Sequence, residues 1–217
     1  MKVIVTGVTG MVGEGVLLSC LDDAAVTEVL AVSRKPSGHT HAKLKELLVP
    51  DFTKLEGLEG ELEGYDACFY CAGVSSVGMS EADYTKITYD TVVAFAQKLV
   101  QLNPTMVMCH VSGASTDGTE KGSTMWARVK GRAENALMKM GFKGTYNFRP
   151  GLMLPVPGQK NLKTGYKIAL VFAPVMKLLF PALKLQEVQK AMMNAATKGA
   201  PKQVLEVADI KALAAQS

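Results

Sequence analysis

The chain opens Lys2-Val-Ile-Val-Thr-Gly-Val-Thr-Gly-Met-Val-Gly-Glu14, and this stretch constrains the fold more than any other. Residues 3–5 form a short β-branched run of the kind buried in parallel sheets, and Gly7, Gly10 and Gly13 follow at a spacing of three. Each glycine answers a separate physical demand. Gly7 permits a tight turn out of the strand. Gly10 lets the backbone approach a pyrophosphate with no Cβ in between, and Gly13 lets the next helix pack closely on the sheet. The first turn of that helix then offers unpaired N–H groups and a positive dipole end. Thr6, Gly7, Thr9, Gly10, Met11, Val12 and Gly13 are therefore candidate phosphate-binding residues. The alternative is a tight strand-to-helix turn that holds no ligand.

Strands and helices alternate along the rest of the chain. Val12, Val16, Leu17 and Cys20 make one apolar face of a helix predicted over 11–21. Strands are expected at 28–32, 44–49, 66–73, 105–111 and 145–148, with helices over 80–102 and 123–140. This order predicts an α/β protein, a Rossmann-type doubly wound parallel sheet, and 217 residues suit one nucleotide-binding domain. Beyond residue 151 the character changes. Pro155 and Pro157 interrupt the chain, and 166–185 is almost wholly apolar apart from Lys167, Lys177 and Lys184. Those lysines, with Pro174 and Pro181, argue against a membrane span. The expectation for 152–200 is a small helical C-terminal cap that covers the cleft, forms a homodimer face or makes a peripheral membrane contact. A helix over 186–197, a strand near 204–207 and a short terminal helix complete the chain.

Charge excludes other classes. The formal net charge is +4 with lysines scattered along the chain, which offers neither a nucleic-acid arm nor a polybasic membrane segment. His39 and His41 lack a third ligand nearby, so no metal site is expected. Cys68 and Cys71 form a Cys-x-x-Cys on a predicted strand, where residues three apart point to opposite faces. Buried thiols fit better than a redox pair. All four cysteines fall in core-like segments, and the first strand starts at once with no signal peptide before it, so a cytoplasmic protein is expected.

Two further stretches carry chemistry. At the end of the second strand, an acid about 20 residues past the glycines would hold a ribose 2′-hydroxyl. Here Ser33 is followed by Arg34 and Lys35, which suit a 2′-phosphate and so favour NADP(H) over NAD(H). The alternative is a solvated pair of loop cations. At the end of the fifth strand, Ser112-Gly-Ala-Ser-Thr-Asp117 is a polar loop on the sheet edge where ligands bind in parallel sheets, and the next helix sets Trp126 and Lys130 one turn apart.

Thr6-Gly-x-Thr-Gly-x-x-Gly13, taken with Ser112, Lys130 and Arg149-Pro150, resembles the short-chain dehydrogenase/reductase superfamily. It is most similar to the extended and atypical branches called NAD-dependent epimerase/dehydratase-like, since the compact branch carries glycine where this chain has Met11. The resemblance covers residues 1–155. It implies Asp51 and Phe52 beside an adenine, Cys71, Ala72 and Gly73 along the ribose and nicotinamide, and Pro150 bordering the nicotinamide. It also implies catalytic roles at Ser112, Trp126 and Lys130, and that pattern departs from the superfamily at one place. The Tyr-x-x-x-Lys pair would put tyrosine at 126, where an indole can donate a hydrogen bond but cannot exchange a proton near neutral pH. Lys130 keeps a role on the nicotinamide ribose, and Tyr84 and Tyr89 are substitute acids unless they simply pack. The implied activity is an NADPH-dependent oxidoreductase acting on a small organic acceptor. Its rivals are a non-catalytic NADP(H) sensor with a protein partner and a nucleotide-sugar epimerase or dehydratase.

Overall fold

Strand β1, Lys2–Thr6, lies inside a seven-stranded sheet in the computed structural model, which describes residues 1–162 and 182–216. The other long strands are β2 Glu28–Ser33, β3 Leu44–Leu48, β4 Ala67–Tyr70, β5 Val107–Val111 and β6 Gly144–Phe148. Two three-residue strands, β7 Leu152–Leu154 and β8 Ala182–Lys184, pair with each other in parallel, and β9 Val204–Leu205 joins the main sheet. The sheet order is β3-β2-β1-β4-β5-β6-β9, every pairing is parallel, and the order reverses between β1 and β4. That reversal opens a crevice at the carboxyl ends of the strands.

Alternation along the strands sorts the core into two layers. Val3, Val5, Val29, Ala31, Ala67, Phe69, Val107 and Cys109 face α1 Met11–Asp22 together with the two C-terminal helices, Leu185–Lys198 and Val207–Ala214. Ile4, Leu30, Val32, Cys68, Tyr70 and Met108 face the opposite layer. Its helices are α2 Glu59–Leu62, α3 Glu81–Thr85, α4 Thr91–Leu102 and α5 Met125–Met138, and the C-terminal pair become α6 and α7. Cys68 and Cys71 accordingly belong to different layers, so their thiols diverge.

The helix predicted over 80–102 is interrupted by one π-helical turn, Lys86–Asp90, between α3 and α4. Thr91 explains it: both its N–H and its hydroxyl reach the Lys86 carbonyl five residues back. The β7–β8 ribbon was not expected, because three residues are too few for a period to register. Within 152–200, the region expected to form a cap, α6 lies in the sheet's own layer. Val188, Ala191, Met192 and Ala195 are buried against α1 and the strands. Most of the apolar stretch 166–185 lies outside the described residues, and no described helix is long and apolar enough to cross a membrane.

Candidate active site

The glycine turn is built by close approach. Gly7 has φ +70, and a Cβ there would sit 2.6 Å from the Cys71 carbonyl oxygen, so this position excludes side chains twice over. A Cβ on Gly13 would collide with the Gly7 carbonyl, which presses the first turn of α1 onto the exit of β1. Gly10 differs. A Cβ there would meet only the Gly7 oxygen at 3.3 Å, so its outer side is open. Gly10 is also the N-cap of α1 and brings no side chain to the cap. Glu14 N–H, bonded to the Gly10 carbonyl at 2.9 Å, is the first donor used within the helix. The N–H groups of Met11, Val12 and Gly13 therefore precede the helical ladder. Thr9 and Gly10 are exposed beside them, Met11 and Val12 half-buried. An open glycine over three such donors fits a pyrophosphate. Thr6 plays a different part: its buried hydroxyl accepts from the N–H groups of Cys71 and Ala72 at 3.1 Å each and joins the exits of β1 and β4.

At the exit of β2, Ser33 Oγ donates to the Lys35 carbonyl at 2.6 Å and tightens the turn that follows. Arg34 and Lys35 project from that turn, exposed, and neither makes an ion pair among the described residues. The exposed Asp51 carboxylate accepts from the Thr53 hydroxyl at 2.6 Å and N–H at 3.0 Å, bonds that hold its pKa below the usual range. Phe52 is buried and stacks on Phe95, centroids 5.0 Å apart, so its ring belongs to the core.

Glu14 was not anticipated. It is fully buried in the first turn of α1, and His39 Nε2 donates to it at 2.9 Å. The backbone N–H groups of Lys160 and Asn161 reach it at 2.6 and 2.9 Å, and Gln159 Nε2 at 3.5 Å. Burial pushes its carboxyl up, but the bonds from His39, Lys160, Asn161 and Gln159 outweigh burial and hold it low. His41 faces elsewhere, its Nδ1 accepting from Lys43 N–H at 3.1 Å. Among the described residues no three metal-ligating side chains converge.

At the other end of the crevice, the exits of β4, β5 and β6 meet. Cys71 and Ala72 are half-buried and Gly73 exposed. The loop after β5 is stitched to the exit of β6, with Ser112 N–H on the Phe148 carbonyl at 2.8 Å and Ala114 N–H on the Pro150 carbonyl at 3.1 Å. Ser115 lies in the left-handed region at φ 64, a strained turn of the sort found at ligand sites. Thr116 Oγ1 donates to the Gly113 carbonyl at 2.7 Å, so at 3.1 Å from Ser112 Oγ it acts as acceptor. Ser112 thus turns its proton toward Thr116 and would have to rotate to donate elsewhere.

Lys130 Nζ donates to the Ser112 carbonyl at 3.3 Å. Burial pushes its pKa down, and Glu134, one helical turn on, partly restores it. Glu134 is itself 1% exposed and clasped by Arg149 through Nε at 3.0 Å and Nη2 at 2.6 Å, while Arg149 Nη1 reaches Glu206 at 3.1 Å. Nearby on β5, buried His110 bonds Asn147 Oδ1 through Nδ1 at 2.9 Å, and its pKa is pushed down to about 4 by burial and then by the Lys130 charge. Ser112, Lys130 and Arg149 of this network carried the resemblance in the sequence; of its other members only Glu134 had a signal there, its i, i+4 spacing from Lys130. Trp126 is half-buried one turn before Lys130. Tyr84 is 1% exposed, with burial raising its pKa, and the Tyr89 ring lies 4.0 Å beneath the Arg132 guanidinium. Both tyrosines are engaged in packing.

Comparison with known proteins decides the family: the sequence profile of the NAD dependent epimerase/dehydratase family matches residues 3–135. The chain belongs to that family. Among curated relatives, "Protein fmp52, mitochondrial" of Emericella nidulans is 29% identical over 211 residues, covering 91% of this chain and 88% of that protein. "Protein fmp52-1, mitochondrial" of Aspergillus terreus is 30% identical, covering 70% of this chain and 66% of that protein. Both names carry a mitochondrial assignment, which overturns the cytoplasmic expectation drawn from the cysteines. Among solved structures, Bordetella bronchiseptica WbmF in complex with NAD+ superposes with a TM-score of 0.70 at 14% identity, covering 98% of this chain and 76% of that one. At that identity the likeness concerns the fold, an NAD-binding epimerase/dehydratase-family fold.

Proposed function

We propose that this family member is an NADP(H)-dependent oxidoreductase that reduces a small organic acceptor. When bound, the cofactor supplies a hydride; the other parts of the chemistry fall to the chain. Met11, Val12 and Gly13 N–H groups hold the pyrophosphate beside open Gly10, and Arg34 and Lys35 meet the 2′-phosphate. Asp51 and the Phe52 backbone flank the adenine, while the backbone of Cys71, Ala72 and Gly73, with Pro150, borders the ribose and nicotinamide. Lys130 bonds the nicotinamide ribose, and Ser112, once rotated off Thr116, orients the acceptor oxygen. Trp126 walls the acceptor site but cannot deliver a proton. Acceptors that take their proton from water, such as quinones or flavins, are therefore preferred over carbonyls.

The observation that carries this reading is the placement of Lys130 Nζ on the Ser112 carbonyl, at the same sheet edge as the open Gly10 turn. Sugar epimerisation, named for some solved structures of this fold, such as the UDP-N-acetylglucosamine 4-epimerase of Bacillus cereus, demands an acid/base where Trp126 stands. Ser112's engagement with Thr116 favours a second reading, a non-catalytic NADP(H) sensor. Following NADPH consumption with quinone, flavin and aldehyde acceptors separates the two. Consumption with quinone or flavin is expected. Tight NADPH binding without consumption by any acceptor would favour the sensor. The names of the fungal relatives support a mitochondrial setting for either.

A further inference from the structure

The functional reading above uses neither Glu14 nor the segment that follows β7, yet the two are joined by an arrangement that a plain core would not need. Leaving a carboxylate buried costs several kcal/mol unless donors surround it, and an apolar side chain would fill the same helical position more simply. Here the donors come from two distant parts of the chain. His39 belongs to the loop after β2, and Gln159, Lys160 and Asn161 belong to the segment after β7. Gln159 Nε2 also donates to the Met11 carbonyl at 2.7 Å, while its Oε1 receives Val156 N–H at 2.8 Å. Glu14 thus ties the glycine turn, the loop after β2 and residues 159–161 into one unit.

The consequence lies at Lys160. With its backbone N–H on Glu14, its side chain runs to the loop after β2, where Nζ donates to the Gly38 carbonyl at 2.7 Å. Asn161 Nδ2 reaches the neighbouring Ser37 carbonyl at 3.5 Å. This is the turn that starts at Ser33 and displays Arg34 and Lys35. Lys160 is exposed, and its ammonium has two further donors beyond the one on Gly38. The acids bonded to this turn and segment are already engaged, Glu14 as described and Glu46 through Oε1 by Ser37 N–H at 2.7 Å. The geometry points to Lys160 as a third cation of the ribose 2′-phosphate subsite, with Glu14 as the positioning residue that delivers it across 146 residues of sequence. This assignment rests on the NADP(H) preference proposed above.

The test is calorimetric titration of 2′,5′-ADP and of ADP, which differ in the 2′-phosphate and leave the nicotinamide site out. Lys160→Met should weaken 2′,5′-ADP about tenfold, the size of one charge-assisted contact, and leave ADP within about twofold. Lys160→Arg should restore most of the loss. Glu14→Gln should weaken 2′,5′-ADP selectively, and combining it with Lys160→Met should cost no more than Lys160→Met alone, because one acts through the other. If Glu14→Gln weakened ADP equally, Glu14 would only support the glycine turn and its positioning role would fall. If Arg34→Ala with Lys35→Ala abolished the preference for 2′,5′-ADP while Lys160→Met left it intact, the Lys160 assignment would be overturned and the cofactor reading would stand. Equal affinities in the unmodified protein would remove the cofactor reading and this assignment with it.

Discussion

The two ends of the cleft are made of different material. The phosphate end is backbone: three glycines, a helix N-terminus and carbonyls packed so closely that side chains are excluded at Gly7 and Gly13. The proposed acceptor end is side chain, a network of Ser112, Thr116, Lys130, Glu134, Arg149 and His110, with Trp126 one helical turn before Lys130. Backbone sites depend on shape and tolerate changes of chemistry around them. Side-chain sites depend on which proton sits where, and in the function proposed above the position that would exchange one carries an indole.

Substitution at the glycine turn should produce the largest effects and divide them sharply. Gly13→Val drives a branched side chain into the Gly7 carbonyl and should cost at least about 3 kcal/mol of stability, read by chemical denaturation. Gly10→Val meets little protein and should leave a folded chain whose NADPH binding is lost in calorimetry. A folded Gly10→Val variant with unchanged affinity would show that no pyrophosphate lies there. Next in size, Arg34→Ala with Lys35→Ala should cost roughly 1.5–3 kcal/mol per lost contact for NADPH, with NADH little changed.

The acceptor end should be the pH-sensitive one. His110 takes up a proton near 6.5 when unfolded and only near 4 when folded. Stability from this residue is therefore fully present above pH 6.5 and is lost as pH falls toward 4, by at most about 3 kcal/mol. Denaturation curves at pH 7.5 and 4.5 should show that slope, flattened in His110→Asn. A smaller effect is expected at Lys130. Lys130→Ala should weaken nicotinamide nucleotides by roughly 1–3 kcal/mol while leaving ADP unaffected, since ADP lacks the nicotinamide ribose proposed as its partner.

Much of the phosphate end was legible because its constraints are local. Three glycines behind a β-branched run imply a turn, an open position and a packing contact; Gly7 makes the turn, Gly13 the packing contact, and Gly10 is left open between them. Alternation along the strand likewise separates Cys68 from Cys71, and the two lie in different layers. Glu14 was not legible. One acid in an apolar turn reads as a solvated residue, and nothing nearby in sequence announces donors at His39, Lys160 and Asn161. The bonds of Thr6 were illegible for the same reason, since its partners on the exit of β4 lie 65 and 66 residues on. The π-helical turn adds a single residue per turn and leaves the apolar pattern of α4 intact. The compartment was misread because buried thiols are shielded by packing in any compartment.

The contrast between the two ends is tested most directly at position 126. Carbonyl reduction by NADPH should be compared in the unmodified protein and in Trp126→Tyr, across pH, with cofactor affinity measured alongside. The account predicts little carbonyl reduction in the unmodified protein. In Trp126→Tyr it predicts at least about a tenfold gain, following the titration of a phenol beside the Lys130 charge, with NADPH affinity unchanged. Brisk carbonyl reduction in the unmodified protein that vanished in Tyr84→Phe would contradict it, placing the acid on a residue that the fold buries.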